Sequence, residues 1–231
     1  MSLQVKPHEK FHGFYWIPLE EEERLATRNL TLGRAVYGER LVRSCGVEYR
    51  LWNPFRSKLA AAVLNGLRNM PIDEGDSVLY LGAATGTTSS HISDIVGFRG
   101  SVYCVEFAPR AFRELIVRVC KYRENMLPIL ADARNPEVYR MLVGSVDVIY
   151  CDVAQPEQAL ILAENARMYL KEDGWAILAV KARSIDAIKS LKKIYKMEKE
   201  TLEKLGFTIK EEIKLEPYDK AHELIVSKST K

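Results

Sequence analysis

Gly82-Ala83-Ala84-Thr85-Gly86-Thr87-Thr88 follows an apolar run and opens a stretch of helical pattern. Small residues at such a turn let the backbone approach a ligand closely, and the helix start beyond it offers N–H groups without intrahelical partners. The loop is neither G-x-G-x-x-G nor a Walker loop, because no Gly-Lys-Ser/Thr is present. By itself it is explained equally well as a tight strand-to-helix turn. Glu106 lies twenty residues beyond Gly86, at the end of the second apolar run and before Phe107. A carboxylate there accepts hydrogen bonds from a ribose diol. Asp132, followed by Ala133, stands after the third run, placed to meet an adenine amino group, and Asp152 and Gln155 follow the fourth. One acidic strand end would mean little, but three in register with a glycine loop favour an adenosyl-ligand site. Lys181 ends the fifth run, Ala176-Ile177-Leu178-Ala179-Val180. The sequence thus predicts a partly desolvated lysine suited to act as a base, with Asp152 favouring its charged form and orienting it.

These residues need elements to hold them in one place. Continuously apolar β-type runs occur at 77–81, 101–107, 126–130, 146–152 and 175–181. Helical stretches at 88–95, 109–122, 136–143 and 158–170 separate them, a long Lys-rich amphipathic helix covers 185–205, and late strands follow at 208–215 and 223–227. Apolar strands alternating with helices predict a mainly parallel sheet covered on both faces, with its ligand beyond the carboxyl ends of the strands. The first 55 residues differ in texture: Phe11, Phe14, Tyr15, Trp16, Tyr37, Tyr49 and Trp52 lie in short alternating stretches. They predict a small β-rich domain over 1–55 ahead of a second domain over 56–231. Ser57 is placed to cap a helix running from Lys58 to Leu67.

Composition narrows the class further. The 231 residues are 47% hydrophobic and 28% charged, as in an ordinary globular protein. No run approaches the ~20 apolar residues that span a bilayer, and Met1 to His12 show no secretory signal. The four cysteines lack CxxC spacing, so neither a zinc ribbon nor a disulfide framework is expected. Cys104 and Cys151 lie in apolar runs and read as reduced core residues of an intracellular protein. No metal site is expected, and His8, His12 and His91 receive no role. A net charge of +3 argues against a strongly cationic, free-standing nucleic-acid binder. The lysines of 189–204 interleave with Glu198, Glu200 and Glu203 and read as a solvated face, whereas the arginines of the first 56 residues could contact RNA or a partner protein.

The strand-end spacings resemble those of class I S-adenosylmethionine-dependent methyltransferases. In those enzymes the glycine loop packs against the methionine part, the second-strand acid holds the ribose and the third-strand Asp contacts adenine. A nicotinamide-dependent Rossmann enzyme is the alternative, and the glycine pattern counts against it. Longer strings narrow the resemblance: Val47-Glu48-Tyr49-Arg50-Leu51-Trp52-Asn53-Pro54, Ser57-Lys58-Leu59-Ala60-Ala61, Tyr80-Leu81 leading into the glycine loop, Asp152-Val153-Ala154-Gln155-Pro156 and Val180-Lys181-Ala182-Arg183-Ser184-Ile185-Asp186. Together they resemble the fibrillarin family in its compact archaeal form, over nearly the whole chain.

The resemblance implies an α/β class I methyltransferase fold, Rossmann-like, with a mainly parallel seven-stranded sheet and a small N-terminal β-rich domain. It implies methyl transfer from S-adenosylmethionine to ribose 2′-hydroxyls of ribosomal and often transfer RNA, at guide-selected sites. The implied partners are a box C/D guide RNA, substrate RNA, a Nop56/Nop58-type scaffold protein and a kink-turn-binding ribosomal-type protein, in a cytoplasmic setting without a membrane. It maps a Lys-Asp-Lys-His group onto Lys58, Asp152, Lys181 and His222. Lys181 is then the base or alkoxide stabiliser, Asp152 its orienter, and Lys58 and His222 position the substrate. Cofactor contacts map onto Gly82, Ala83, Ala84, Thr85, Gly86, Thr87, Thr88, Glu106, Phe107, Asp132, Ala133, Asp152 and Gln155. Two departures stand out: the Gly/Arg-rich extension of the eukaryotic proteins is not seen ahead of Gly13, and Ala221 stands before the histidine where the family commonly has Asp. Methylation of a protein glutamine and a non-catalytic scaffold role are the competing functions.

Overall fold

The computed structural model describes residues 4–20 and 22–230, so the first residues read above, Met1 to Leu3, lie outside it. Strands β1 (Lys6–Pro7), β2 (Phe14–Pro18), β3 (Glu23–Arg28), β4 (Leu41–Ser44) and β5 (Val47–Leu51) form an antiparallel sheet of order β1-β2-β3-β5-β4. Helix α1 (Lys58–Leu64) follows, with the Ser57 side chain accepting from the Ala60 N–H, a cap that contributes about 1 kcal/mol.

The larger sheet then alternates with helices: β6 (Ser77–Leu81), α2 (Thr87–Val96), β7 (Ser101–Glu106), α3 (Pro109–Arg118), β8 (Met126–Leu130), β9 (Val146–Cys151), α4 (Gln158–Tyr169), β10 (Leu170–Lys181), α5 (Ala182–Ile185), α6 (Leu191–Lys204), β11 (Phe207–Lys214) and β12 (His222–Ser229). Its order is β11-β12-β10-β9-β6-β7-β8, parallel throughout except that β12 runs against both neighbours. This is the expected mainly parallel seven-stranded sheet with a small β-rich unit ahead of it. The strand order reverses between β6 and β9, which places the ends of β6, β7 and β9 around one crevice.

One apolar layer joins α1, α2 and α3 to one face of the sheet and takes in Phe14, Leu25 and Trp52 of the smaller sheet. A second joins α4 and α6 to the other face. Cys104 and Cys151 are buried free thiols, and no helix among the described residues is long and apolar enough to cross a membrane.

Several elements differ from the sequence reading. The expected helix at 136–143 is a single 3-10 turn, Pro136–Tyr139, that leaves Val138, Met141 and Leu142 exposed. The expected helix at 185–205 is broken: the Asp186 carboxylate accepts from the backbone N–H groups of Ile188 and Lys189, and α6 restarts only at Leu191. The stretch expected at 109–122 divides into α3 and a 3-10 turn, Cys120–Tyr122. Strand β10 begins at Leu170, earlier than Trp175, through an irregular register against β9.

Candidate active site

Five strand ends, those of β6, β7, β8, β9 and β10, build a cleft lined by Gly82, Ala84, Val105, Glu106, Phe107, Ala131, Ala133, Asp152, Val153, Ala154, Gln155 and Lys181. The glycine loop turns sharply out of β6. Gly82 has φ +83°, and a Cβ on it would come within 2.7 Å of the Asp152 carbonyl oxygen, so the β6 and β9 loops touch through bare backbone. Gly86, at φ +91°, caps α2, and a Cβ there would press on Leu115 and Val119 at under 3.0 Å. Ala83 is buried beneath the loop. Thr88 turns inward to donate from Oγ1 to Ser57 Oγ at 3.0 Å, tying the loop to the start of α1. Thr85 and Thr87 are half-buried beside it and outside the cleft lining.

Glu106 is buried, and its two oxygens accept from the backbone N–H groups of Ala84 (2.8 Å) and Ala108 (2.7 Å). A carboxylate oxygen accepts more than one hydrogen bond, so Glu106 braces the glycine loop and keeps acceptor capacity toward the cleft. Phe107 is exposed at the rim. The Gln155 Oε1 atom is buried without a hydrogen-bond partner among the described residues, an acceptor inside the cleft that calls for a donor. Asp132 is not among the lining residues. Its carboxylate takes bonds from Arg134 Nε (2.9 Å) and Nη2 (2.6 Å), which hold its carboxyl below the usual range, while Ala131 and Ala133 beside it line the cleft.

A charged group closes the mouth of the cleft. Lys58, on the first turn of α1, and Lys181, at the end of β10, each place Nζ 3.0 Å from Asp152 Oδ1. Lys181 Nζ also donates to the Asp152 carbonyl at 2.7 Å, and Lys58 Nζ approaches Oδ2 at 3.4 Å. The three side chains are 15–20% exposed, enough to meet a substrate yet shielded from bulk water. His222 opens β12 directly opposite Lys181 in the antiparallel register. The four residues named from the sequence therefore lie on adjoining elements.

A fifth group completes the cluster. Asp219 Oδ1 is 2.7 Å from His222 Nδ1, and its Oδ2 is 3.9 Å from Lys58 Nζ. Sequence reading passed over Asp219; the available signal was an acid one turn before a histidine. It also gave no role to His91, which is fully buried where the two sheets meet. There His91 Nδ1 lies 2.7 Å from Thr27 Oγ1, Nε2 lies 2.8 Å from Tyr37 OH, and the ring stacks on Trp52. Burial, with Arg50 and Arg123 nearby, drives its pKa well below the usual value, so it is a neutral structural histidine.

The cleft suits an adenosyl sulfonium ligand on its own chemistry. Bare backbone at Gly82 gives close approach, Glu106, Gln155 and Asp152 offer acceptors to hydroxyl and amino groups, and Val105, Phe107, Ala131, Ala133 and Val153 offer apolar surface to a base.

Comparison with known proteins gives the family and the fold. The sequence model described as Fibrillarin matches residues 5–231. A fibrillarin-like rRNA/tRNA 2′-O-methyltransferase of Staphylothermus marinus is 55% identical over 227 residues, 98% of this chain and 97% of the relative. The crystal structure of Aeropyrum pernix fibrillarin with natively bound S-adenosyl-L-methionine matches at TM-score 0.92 and 50% identity, covering 98% of this chain and 99% of that one. The fibrillarin of a fibrillarin/Nop5p complex matches at TM-score 0.84 and 37% identity, covering 96% and 100%.

Proposed function

The chain belongs to the fibrillarin family, and we propose on that footing that it methylates ribose 2′-hydroxyls of ribosomal and transfer RNA. The arrangement that carries the proposal is the meeting of Lys58 and Lys181 on Asp152 at the mouth of the cleft. A ribose hydroxyl is a weak acid and a poor nucleophile. Transfer therefore requires alignment with the methyl group, removal of the hydroxyl proton and compensation of the developing alkoxide charge.

S-adenosylmethionine, when bound, supplies the electrophilic methyl and a thioether leaving group that takes the electron pair of the broken C–S bond. The residues of the chain do the rest. The glycine loop Gly82–Thr88 would hold the methionine part, Glu106 the ribose, and Phe107, Ala133 and Gln155 the base. Asp132, paired with Arg134, would be the acceptor for the adenine amino group. Asp152 holds the two lysine head groups, Lys181 takes the hydroxyl proton on the lone pair of its neutral amine or, as the ammonium, neutralises the alkoxide, and Lys58 and His222 position the ribose.

The methyltransferase unit is residues 56–231, and residues 1–55 form a supporting domain. The setting is a cytoplasmic box C/D ribonucleoprotein, with a guide RNA, a Nop56/Nop58-type scaffold and a kink-turn-binding protein selecting the target. The match to a chain solved with Nop5p supports the scaffold partner.

Reconstitution with guide RNA, the two partner proteins and methyl-labelled cofactor tests the reading. Label is expected on a target nucleotide bearing a 2′-hydroxyl and on none lacking it; label on the 2′-deoxy target would sink the proposal. Asp152→Ala is expected to abolish transfer while the particle still assembles, and normal turnover by that variant would refute the site assignment.

A further inference from the structure

We propose that Asp219 is a positioning residue of the acceptor site, acting with the Lys220 carbonyl to hold the proton of His222 on Nδ1. The inference rests on the methyltransferase reading above. Two acceptors meet His222 Nδ1: Asp219 Oδ1 at 2.7 Å and the Lys220 carbonyl oxygen at 2.8 Å. With acceptors on that side, Nδ1 carries the proton and donates it. In the neutral ring Nε2 is then the bare nitrogen, and it takes no hydrogen bond from any described residue. A ribose hydroxyl is a donor that suits it.

Asp219 also connects the histidine to the rest of the group. Its Oδ2 faces Lys58 Nζ at 3.9 Å, and Lys58 faces Asp152, which faces Lys181. Negative and positive groups thus alternate from Asp219 through Lys58 and Asp152 to Lys181. Burial pushes the Asp219 carboxyl up, but the His222 hydrogen bond and the charges of His222, Lys58 and Lys181 outweigh it and hold the carboxyl below its usual range. Asp219 is therefore ionised at neutral pH.

The chain geometry fixes where the carboxylate stands. The Asp219 N–H donates to the Leu215 carbonyl at 3.0 Å, anchoring the turn that carries the carboxylate toward the ring.

The test uses the full chain with histidine-selective 15N labelling, His222 being assigned by loss of its signals in His222→Gln. The wild type is expected to show protonated Nδ1 and bare Nε2. Asp219→Asn leaves the Lys220 carbonyl in place and is expected to shift the ring partly toward the other tautomer and, in the reconstituted particle, to lower kcat on the order of 10- to 100-fold, the loss of one charge-assisted contact, with cofactor KM unchanged. Asp219→Glu, which keeps a carboxylate three residues before the ring, is expected to retain more of both the 15N signature and kcat than Asp219→Asn. An unchanged signature in Asp219→Asn, or a shifted signature with undiminished kcat, overturns the inference. Absence of transfer to any 2′-hydroxyl by the wild type would instead strike at the methyltransferase reading, since the tautomer is read without RNA or cofactor.

Discussion

Glu223 follows the site histidine on β12 and is only 5% exposed, with Oε1 lacking a hydrogen-bond partner among the described residues. Burial, then the charge of Glu212, pushes its carboxyl from 4.5 up to about 7, against the opposing pull of Lys214 and Lys199. Between those two values the folded chain holds a proton that the unfolded chain has lost, so this residue makes stability fall as pH rises from about 4.5 to about 7. The penalty is fully present above pH 7 and amounts to as much as about 3 kcal/mol. Glu223→Gln is therefore expected to raise the urea midpoint at pH 8 and leave it nearly unchanged at pH 4. An equal shift at both pH values would show that the carboxylate is not the cause. At this scale the sequence located residues whose place follows from a strand end, such as Asp152 and Lys181. It concealed Glu223 and His91, whose surroundings are assembled by tertiary packing from distant segments, and Asp219 went unread although His222 stands three residues on.

Strand β5 and helix α2 are joined by a buried charge network that the sequence did not announce. Arg50 pairs through Nε with Glu39 at 2.7 Å and through Nη1 with Asp94 at 3.0 Å, and it donates from Nη2 to Ser90 Oγ at 2.9 Å. Arg123 meets the second oxygen of Asp94 at 2.6 Å. Since α2 begins at the glycine loop, the small sheet braces the element that sets that loop. Arg50→Ala leaves Glu39 without its ion-pair partner and is expected to cost about 3–5 kcal/mol in chemical denaturation. A loss below 1 kcal/mol would show that the network is only incidental. The apolar strands were legible because continuous Val, Ile and Leu runs between helices have few other uses. The helix boundaries were less so. Asp186 offers its side chain to backbone N–H groups and so competes with helix continuation, which a period-based reading of 185–205 does not register. At 136–143 only Pro136, Tyr139 and Val143 are buried, too few for an amphipathic helix to hold on to the sheet.

For the molecule as a whole, +3 over 231 residues is a weak field. Affinity for RNA comes largely from neutralised phosphates, and here many of the cations are already committed to internal carboxylates, including Lys58 and Lys181 at the site itself. The isolated chain is expected to bind substrate RNA no tighter than about 1 μM at physiological salt, with recognition supplied by the guide and its proteins as in other guided systems. Tight, strongly salt-dependent binding by the chain alone, measured by fluorescence anisotropy across a salt series, would overturn this.

The contact of Gly82 with the Asp152 carbonyl acts as a shared datum for the two reactants. The loop proposed to hold the donor and the residue proposed to orient Lys58 and Lys181 rest on the same peptide. A substitution that displaced this peptide would therefore disturb both halves of the proposed reaction at once.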